Sequence, residues 1–152
     1  MPPDRWMPNT TVAAICKREN KYLVVRELIN NQTVINQPAG HLEQNESLID
    51  AVVRETLEET GYQFTPTSLV SIYRYVSEDN SGKTFLRYTF IGEAGARLST
   101  KLDAGIISAD WLDYDELVAQ RRFHRSPLIL QSIEDSLSGM AFPLDIFSAE
   151  YS

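Results

Sequence analysis

Apolar residues fall along this chain in two rhythms. Two short β-prone runs, Thr11 to Lys17 and the valine- and leucine-rich Lys21 to Leu28, flank the turn-like Arg18-Glu19-Asn20 and predict a hairpin. A further strand, Thr33 to Asn36, runs into Gln37-Pro38-Ala39-Gly40, where Pro38 and Gly40 are expected to stop any regular element. The period then changes. From Ser47 to Thr60, Leu48, Ile49, Val52 and Val53 fall on one arc at about 100° per residue. Ser47 to Asp50 makes a capping-box-like start, and Gly61 stands where a helix closes in a left-handed conformation.

Beyond this helix the β rhythm returns, in Leu69 to Val76 and Thr84 to Ile91, with residues 78–82 as a hairpin loop, and again in Ile106 to Trp111. Asp113 and Glu116 form a capping box for a helix through about Gln120. Ser126 caps another, with Pro127 at its first position and Gly139 at its end. The order of strands, helix, strands and helices predicts an α/β fold, a mixed sheet covered by helices on both faces. With no repeat or linker in view, residues 1–152 are expected to form one domain, its core running from about 10 to 147.

Composition narrows the chemistry. One cysteine, Cys16, excludes an internal disulfide framework, and with only His41 and His124 beside it, any metal is expected to be a hard one held by oxygen. No apolar run approaches the roughly 20 residues that span a bilayer, and Met1 to Trp6 carries no signal-peptide pattern, so a cytoplasmic protein without a membrane partner is expected. A net charge of −7 argues against a nucleic-acid partner, whose phosphates would meet a repulsive field. Residues 40–61 hold six acids and one base, and so carry five of those seven charges.

Within the long helix, Glu55, Glu58 and Glu59 stand at i, i+3 and i+4, so three carboxylates share one face. Left bare, such a face is more often merely solvated, and the Glu55/Glu59 repulsion costs roughly 0.2–0.5 kcal/mol, part of which Arg54 offsets. A divalent cation such as Mg²⁺, held by one or two carboxylates with waters and substrate phosphates, removes the conflict and gives the triad a use.

Position by position the stretch is more specific. Gly40, five residues, Glu46, seven residues, then Arg54-Glu55-Thr56-Leu57-Glu58-Glu59-Thr60-Gly61-Tyr62 resembles the Nudix box at all seven fixed positions. With each at roughly one in fifteen, chance gives such a match at a given start on the order of 10⁻⁸. Thr56 stands where the family usually has an aliphatic residue, and Ala39 where many members have a second glycine.

The resemblance implies an α/β/α sandwich with a mixed sheet, and Mg²⁺-dependent hydrolysis (Mn²⁺ able to substitute) of phosphoric anhydrides in a small phosphorylated metabolite. It implies Glu55, Glu58 and Glu59 as metal ligands or base, with Glu58 and Glu59 the firmest ligands and Glu55 ligand or base. It further implies Arg54 as the residue orienting a catalytic glutamate, Gly40, Glu46 and Gly61 as structural, and the carbonyl of Ala39 or Gly40 as a further ligand. Asn36 to Glu43, Phe85-Leu86-Arg87, Trp111 and Arg125 to Leu128 resemble a subgroup, the NudJ-type phosphatases of bacteria. That likeness implies orthophosphate release from nucleoside tri- and diphosphates and from hydroxymethylpyrimidine diphosphate, a thiamine precursor. The alternatives are a MutT-like housecleaning pyrophosphohydrolase, a dinucleoside polyphosphate hydrolase, and a non-catalytic nucleotide-sensing module, against which the intact glutamates speak. A monomer is expected, with a homodimer as the alternative.

Outside the box, Arg87 lies on a strand face with Phe85 and Thr89 and is a candidate for holding a terminal phosphate, or else a salt-bridged strand arginine. Tyr73 and Tyr75 share a face, as packing or as a stacking platform for a substrate ring. His41, beside the box glycine, is a candidate substrate contact, and Glu43 a candidate for reaching an ion through water. Arg121 to Arg125 follows a helix end, where cations meet the dipole, or else forms a phosphate clamp.

Overall fold

The computed structural model describes residues 4–79 and 81–148; Met1 to Pro3 of the amino-terminal segment and Asn80 of the expected hairpin loop lie outside it. The expected first hairpin forms from β1 (Asn9–Arg18) and β2 (Lys21–Ile29), with Glu19 at positive φ in its turn. The two strands pair only at Lys17 with Tyr22 and Arg18 with Lys21, then diverge. On the edge this frees, β1 pairs with β4 (Ala39–His41) at Thr11 to Ala13. The strand that ends at Asn36 thus stops before Pro38 as expected, whereas Gly40 does not interrupt regular structure but lies inside β4, outside the left-handed region. The Pro38 carbonyl accepts from Ala14 N at 2.9 Å.

On its other edge β1 runs parallel to β6 (Thr84–Arg97), whereas the other strand-to-strand pairings among the described residues are antiparallel, so the sheet is mixed. The sheet order is β3 (Gln32–Asn36), β2, β1, β6, β5 (Tyr62–Val76) and β8 (Phe142–Pro143), with β7 (Ile106–Asp113) on β2. β5 begins seven residues before the expected Leu69, and β6 runs on past Ile91. Register shifts near Phe64, Pro66 and Leu69 break the alternation that would have marked this half of β5.

The sheet is covered on both sides. Val12, Ala14, Cys16 and Phe90 pack against α1 (Leu48–Thr60) through Ala51 and Val52. Ile15, Val24 and Ile35 face Leu117 of α2 (Tyr114–Ala119) and Leu130 and Ile133 of α3 (Leu128–Leu137). β1 is buried on both faces from Thr11 to Cys16, as a central strand between two helical layers must be. The expected Asp113–Glu116 capping box is present in full. α3 starts one residue later than expected, with Pro127 at the cap, although the Ser126 hydroxyl still accepts from Leu128 N at 3.2 Å. The short 3-10 turns at Arg121–Phe123 and Leu144–Ile146 had no sequence signal. Among the described residues no helix is long and apolar enough to cross a membrane.

Candidate active site

α1 begins where Ser47 accepts from Asp50 N at 3.0 Å and ends where Gly61, at φ 78°, donates to Leu57 O. Its apolar arc holds only in part. Leu48, Ile49 and Val53 pack at the margin, while the fully buried stripe runs Ala51, Val52, Thr56, Glu59, Thr60. The two threonines settle their hydroxyls on their own helix, Thr56 on Val52 O at 2.7 Å and Thr60 on Thr56 O at 2.6 Å. Threonine at the usual aliphatic position thus leaves no polar group unpaired.

Arg54 is the hub of the site. Its Nε and Nη2 hold Glu46 in a fork at 2.6 and 3.0 Å, Nη2 also donates to His41 O at 3.1 Å, and Nη1 reaches Glu55 at 2.9 Å and Glu58 at 3.0 Å. Five N–H bonds meet five acceptors, the whole capacity of a guanidinium. The network fixes the β4 turn, Glu46 and two box glutamates relative to one another. It holds the Arg54 proton more tightly than usual and the Glu46 carboxyl below the usual carboxylate range. Glu43 adds a looser ion pair at 3.5 Å.

The helical-face expectation for Glu55, Glu58 and Glu59 needs one correction. Glu59 turns inward, 8% exposed, and accepts from Ala39 N at 2.9 Å. Burial, partly countered by that bond and reinforced by Glu27, Glu55 and Asp103, pushes its carboxyl up to about 8. In its place Asp103 joins Glu55 and Glu58, one oxygen from each lying within 4.8 Å of the others. Asp103 arrives from the loop between β6 and β7, where Leu98 and Ser99 N–H groups bind Gly61 O and Asp103 N binds Glu58 O at 3.1 Å. No spacing in the sequence marks it, because a loop strapped across the end of a helix has no period. Burial raises the Glu55 carboxyl too, with Arg54 opposing and Glu58 and Asp103 adding to the rise.

Gly40 explains itself. A Cβ there would lie 2.1 to 2.4 Å from the Glu55 carboxylate, so the box glycine is the space in which Glu55 rests against β4. Among the described residues this cluster unites three carboxylates and includes no His or Cys, a set that suits a hard divalent cation.

Of the remaining candidates, His41 contributes its carbonyl to Arg54, while its ring stands 6.4 Å from that of Phe85. Tyr75 pairs with Phe85 across β5 and β6, and burial followed by Glu78 raises its hydroxyl. Tyr73 donates to Asp135 of α3 at 2.5 Å and so serves packing. Arg87 is not an exposed strand arginine: among the described residues its hydrogen-bond partners are the amides of Gln37 and Asn36, at 3.2 and 3.4 Å. A cleft of about 240 Å³ lined by Glu27, Glu59, Asp103, Gly105 and Arg125 opens beside the carboxylates.

Comparison with known proteins places the chain in a family. A family profile described as NUDIX domain matches residues 7–131. The chain is 36% identical over 140 residues to phosphatase NudJ of Escherichia coli strain K12, covering 91% of this chain and 90% of that one. It is 46% identical to the solved structure of a NUDIX hydrolase from Nitrosomonas europaea, covering 93% and 97% of the two chains with a TM-score of 0.90. The NUDIX domain of Shewanella oneidensis NrtR, solved with ADP ribose, shares the fold at 15% identity, with a TM-score of 0.73 and coverage of 90% and 93%.

Proposed function

The chain belongs to the Nudix family and is a hydrolase of phosphoric anhydride bonds, and on that premise we propose a Mg²⁺-dependent phosphatase that releases orthophosphate from nucleoside tri- and diphosphates. Hydroxymethylpyrimidine diphosphate is proposed as a further substrate, Mn²⁺ as a substitute ion and the cytoplasm as the working compartment. The observation that carries this reading is the Arg54 hub, which holds Glu55 and Glu58 in place beside Asp103 while its other donors anchor it to Glu46 and the His41 carbonyl. Glu55, Glu58 and Asp103, with Glu59 behind them, would hold the cation, which when bound lowers the pKa of water and neutralises charge on the anhydride oxygens.

The chain's own work is then positional. Arg54 orients the carboxylates, a box glutamate accepts the water's proton, and Ala39 N–H holds Glu59 toward the same centre. His41 and Tyr75 flank the Phe85 end of β6, where the organic part of a substrate would rest. The molecule is proposed to act as a single domain and as a monomer.

The test is Glu58→Gln assayed with Mg²⁺ on a panel of nucleoside diphosphates, triphosphates and pyrimidine diphosphate, scoring phosphate against pyrophosphate. The Glu58 side chain is 41% exposed, so the fold should persist while turnover drops by roughly 10²-fold or more. A folded variant with most of its activity would overturn the assignment. One-step pyrophosphate release would favour the MutT-like alternative, and an inactive wild type the sensing module.

A further inference from the structure

Three other arginines are held by carboxylates: Arg26 by Asp110, Arg54 by its glutamates, and Arg125 by Glu27 at 2.8 Å. Among the described residues Arg87 has none within ion-pair distance. Its Nη2 donates to two neutral amide oxygens, Gln37 Oε1 and an Asn36 Oδ1 that it shares with Gln37 N at 2.9 Å. Its Nε is sealed from solvent without a partner. The Thr11 hydroxyl, at the residue paired with Arg87 across β1 and β6, is equally orphaned, as is that of Thr89 two residues along the same face. Three unspent donors on one face of one pair of strands call for acceptors that the chain does not supply.

Arg125 is the like charge that acts on Arg87: after burial it is the main influence lowering the Arg87 guanidinium to about 10, with Glu59 and Glu27 pulling the other way. Glu27 takes Nη1 of Arg125, so an anion meeting the unpaired Arg87 Nε and the remaining Arg125 donors would relieve two like charges drawn together. Arg125 also lines the cleft that contains Glu59 and Asp103, so such an anion would lie next to the carboxylate centre.

We propose that Arg87 and Arg125 clamp the terminal phosphoryl group of the substrate. A terminal group offers three free oxygens and two charges to two guanidinium forks, whereas an internal phosphate offers two oxygens and one charge. The proposal rests on the hydrolase reading above and sets which anhydride is cut. Water adds its oxygen to one phosphorus of the anhydride adjoining the clamped group, the bridging P–O bond breaks, and its electron pair stays on oxygen. The water's proton passes to a box glutamate, and the products are orthophosphate and a substrate one phosphate shorter.

The test separates the clamp from the hydrolysis. Inorganic phosphate is titrated calorimetrically into metal-free wild type, Arg87→Met, Arg87→Lys, Arg125→Met and Glu58→Gln. Independently, the Mg²⁺-loaded proteins are assayed on a nucleoside diphosphate and on its terminal methyl ester. Both Met variants should bind phosphate at least tenfold more weakly, with Glu58→Gln, which removes a neighbouring negative charge, binding no more weakly than wild type, and both should lose the preference for the free terminal phosphate. Arg125 is half-exposed, so Arg125→Met keeps the result readable should Arg87→Met fold poorly, and Arg87→Lys should restore only part of the affinity. Unchanged phosphate affinity in folded Arg125→Met and Arg87→Lys would overturn the clamp even in an active enzyme. Phosphate binding that depends on both arginines in a protein that hydrolyses nothing would keep the clamp and overturn the hydrolase reading.

Discussion

At the scale of single residues, the box is a set of steric and electrostatic conditions. Its spacing is legible because every member lies within 22 residues of sequence, Gly40 to Gly61, where helix geometry alone decides who meets whom. The same locality accounts for what stayed hidden. Asp103 comes from 44 residues beyond Glu59, on a loop tied to the end of the helix by backbone bonds to Gly61 O and Glu58 O. The inward turn of Glu59 depends on Ala39 N–H, which a short β4 presents and which the sequence argued would be irregular. Gly40→Ala tests the steric condition. The new Cβ would collide with the flexible end of Glu55 rather than with backbone, so the fold should stay within about 1 kcal/mol of wild type while Glu55 is displaced. The expected result is a fall in kcat of roughly 10-fold or more with an unchanged circular dichroism spectrum. Normal turnover in Gly40→Ala would show that the position of Glu55 is immaterial.

At the scale of elements, α1 was read with the right start, end and capping, since Ser47, Asp50 and Gly61 act within one turn of the residues they cap. Its buried stripe was misread because Thr56 and Thr60 bury polar atoms against their own backbone, a satisfaction that hydropathy does not register. Gly61 does more than end the helix. Its carbonyl receives Leu98 and Ser99, which start the loop that carries Asp103 back to Glu58. A Cβ at Gly61 would stand 1.8 Å from Ser99 O, at a φ of 78° that already disfavours it. Gly61→Ala should therefore cost at least about 2 kcal/mol in a denaturant titration, more than the usual penalty for alanine at positive φ. The same variant should weaken Mg²⁺ binding, because the strap that delivers Asp103 must shift. Near-wild-type stability would mean that the strap yields freely and that the Asp103 position is not fixed by α1.

At the scale of the whole molecule, the net charge of −7 is mostly the site's own, and its consequence is a pH dependence of unusual sign for an acidic protein. Glu59 titrates near 8 in the metal-free fold, far above an unfolded glutamate, so the folded state holds that proton more tightly than the unfolded chain does. Stability from this source is full below the unfolded value and is lost as pH rises toward 8. Glu55, also raised, adds to the trend. Glu46, held low by Arg54, acts in the acid range instead, where its contribution is lost as pH falls. His124, lowered by burial, contributes stability above its unfolded value that is lost as pH falls, so the window from about pH 6.5 to 8.5 isolates the glutamates. Across that window the metal-free protein should lose on the order of 2 kcal/mol relative to Glu59→Gln, read as a Tm falling by several degrees more steeply with pH. Mg²⁺ should reverse the slope, because a cation binds the deprotonated carboxylates and its stabilisation grows as the proton leaves. Parallel Tm profiles for wild type and Glu59→Gln, with or without Mg²⁺, would place Glu59 outside the ion's reach and leave Glu55, Glu58 and Asp103 as the whole of the charged centre.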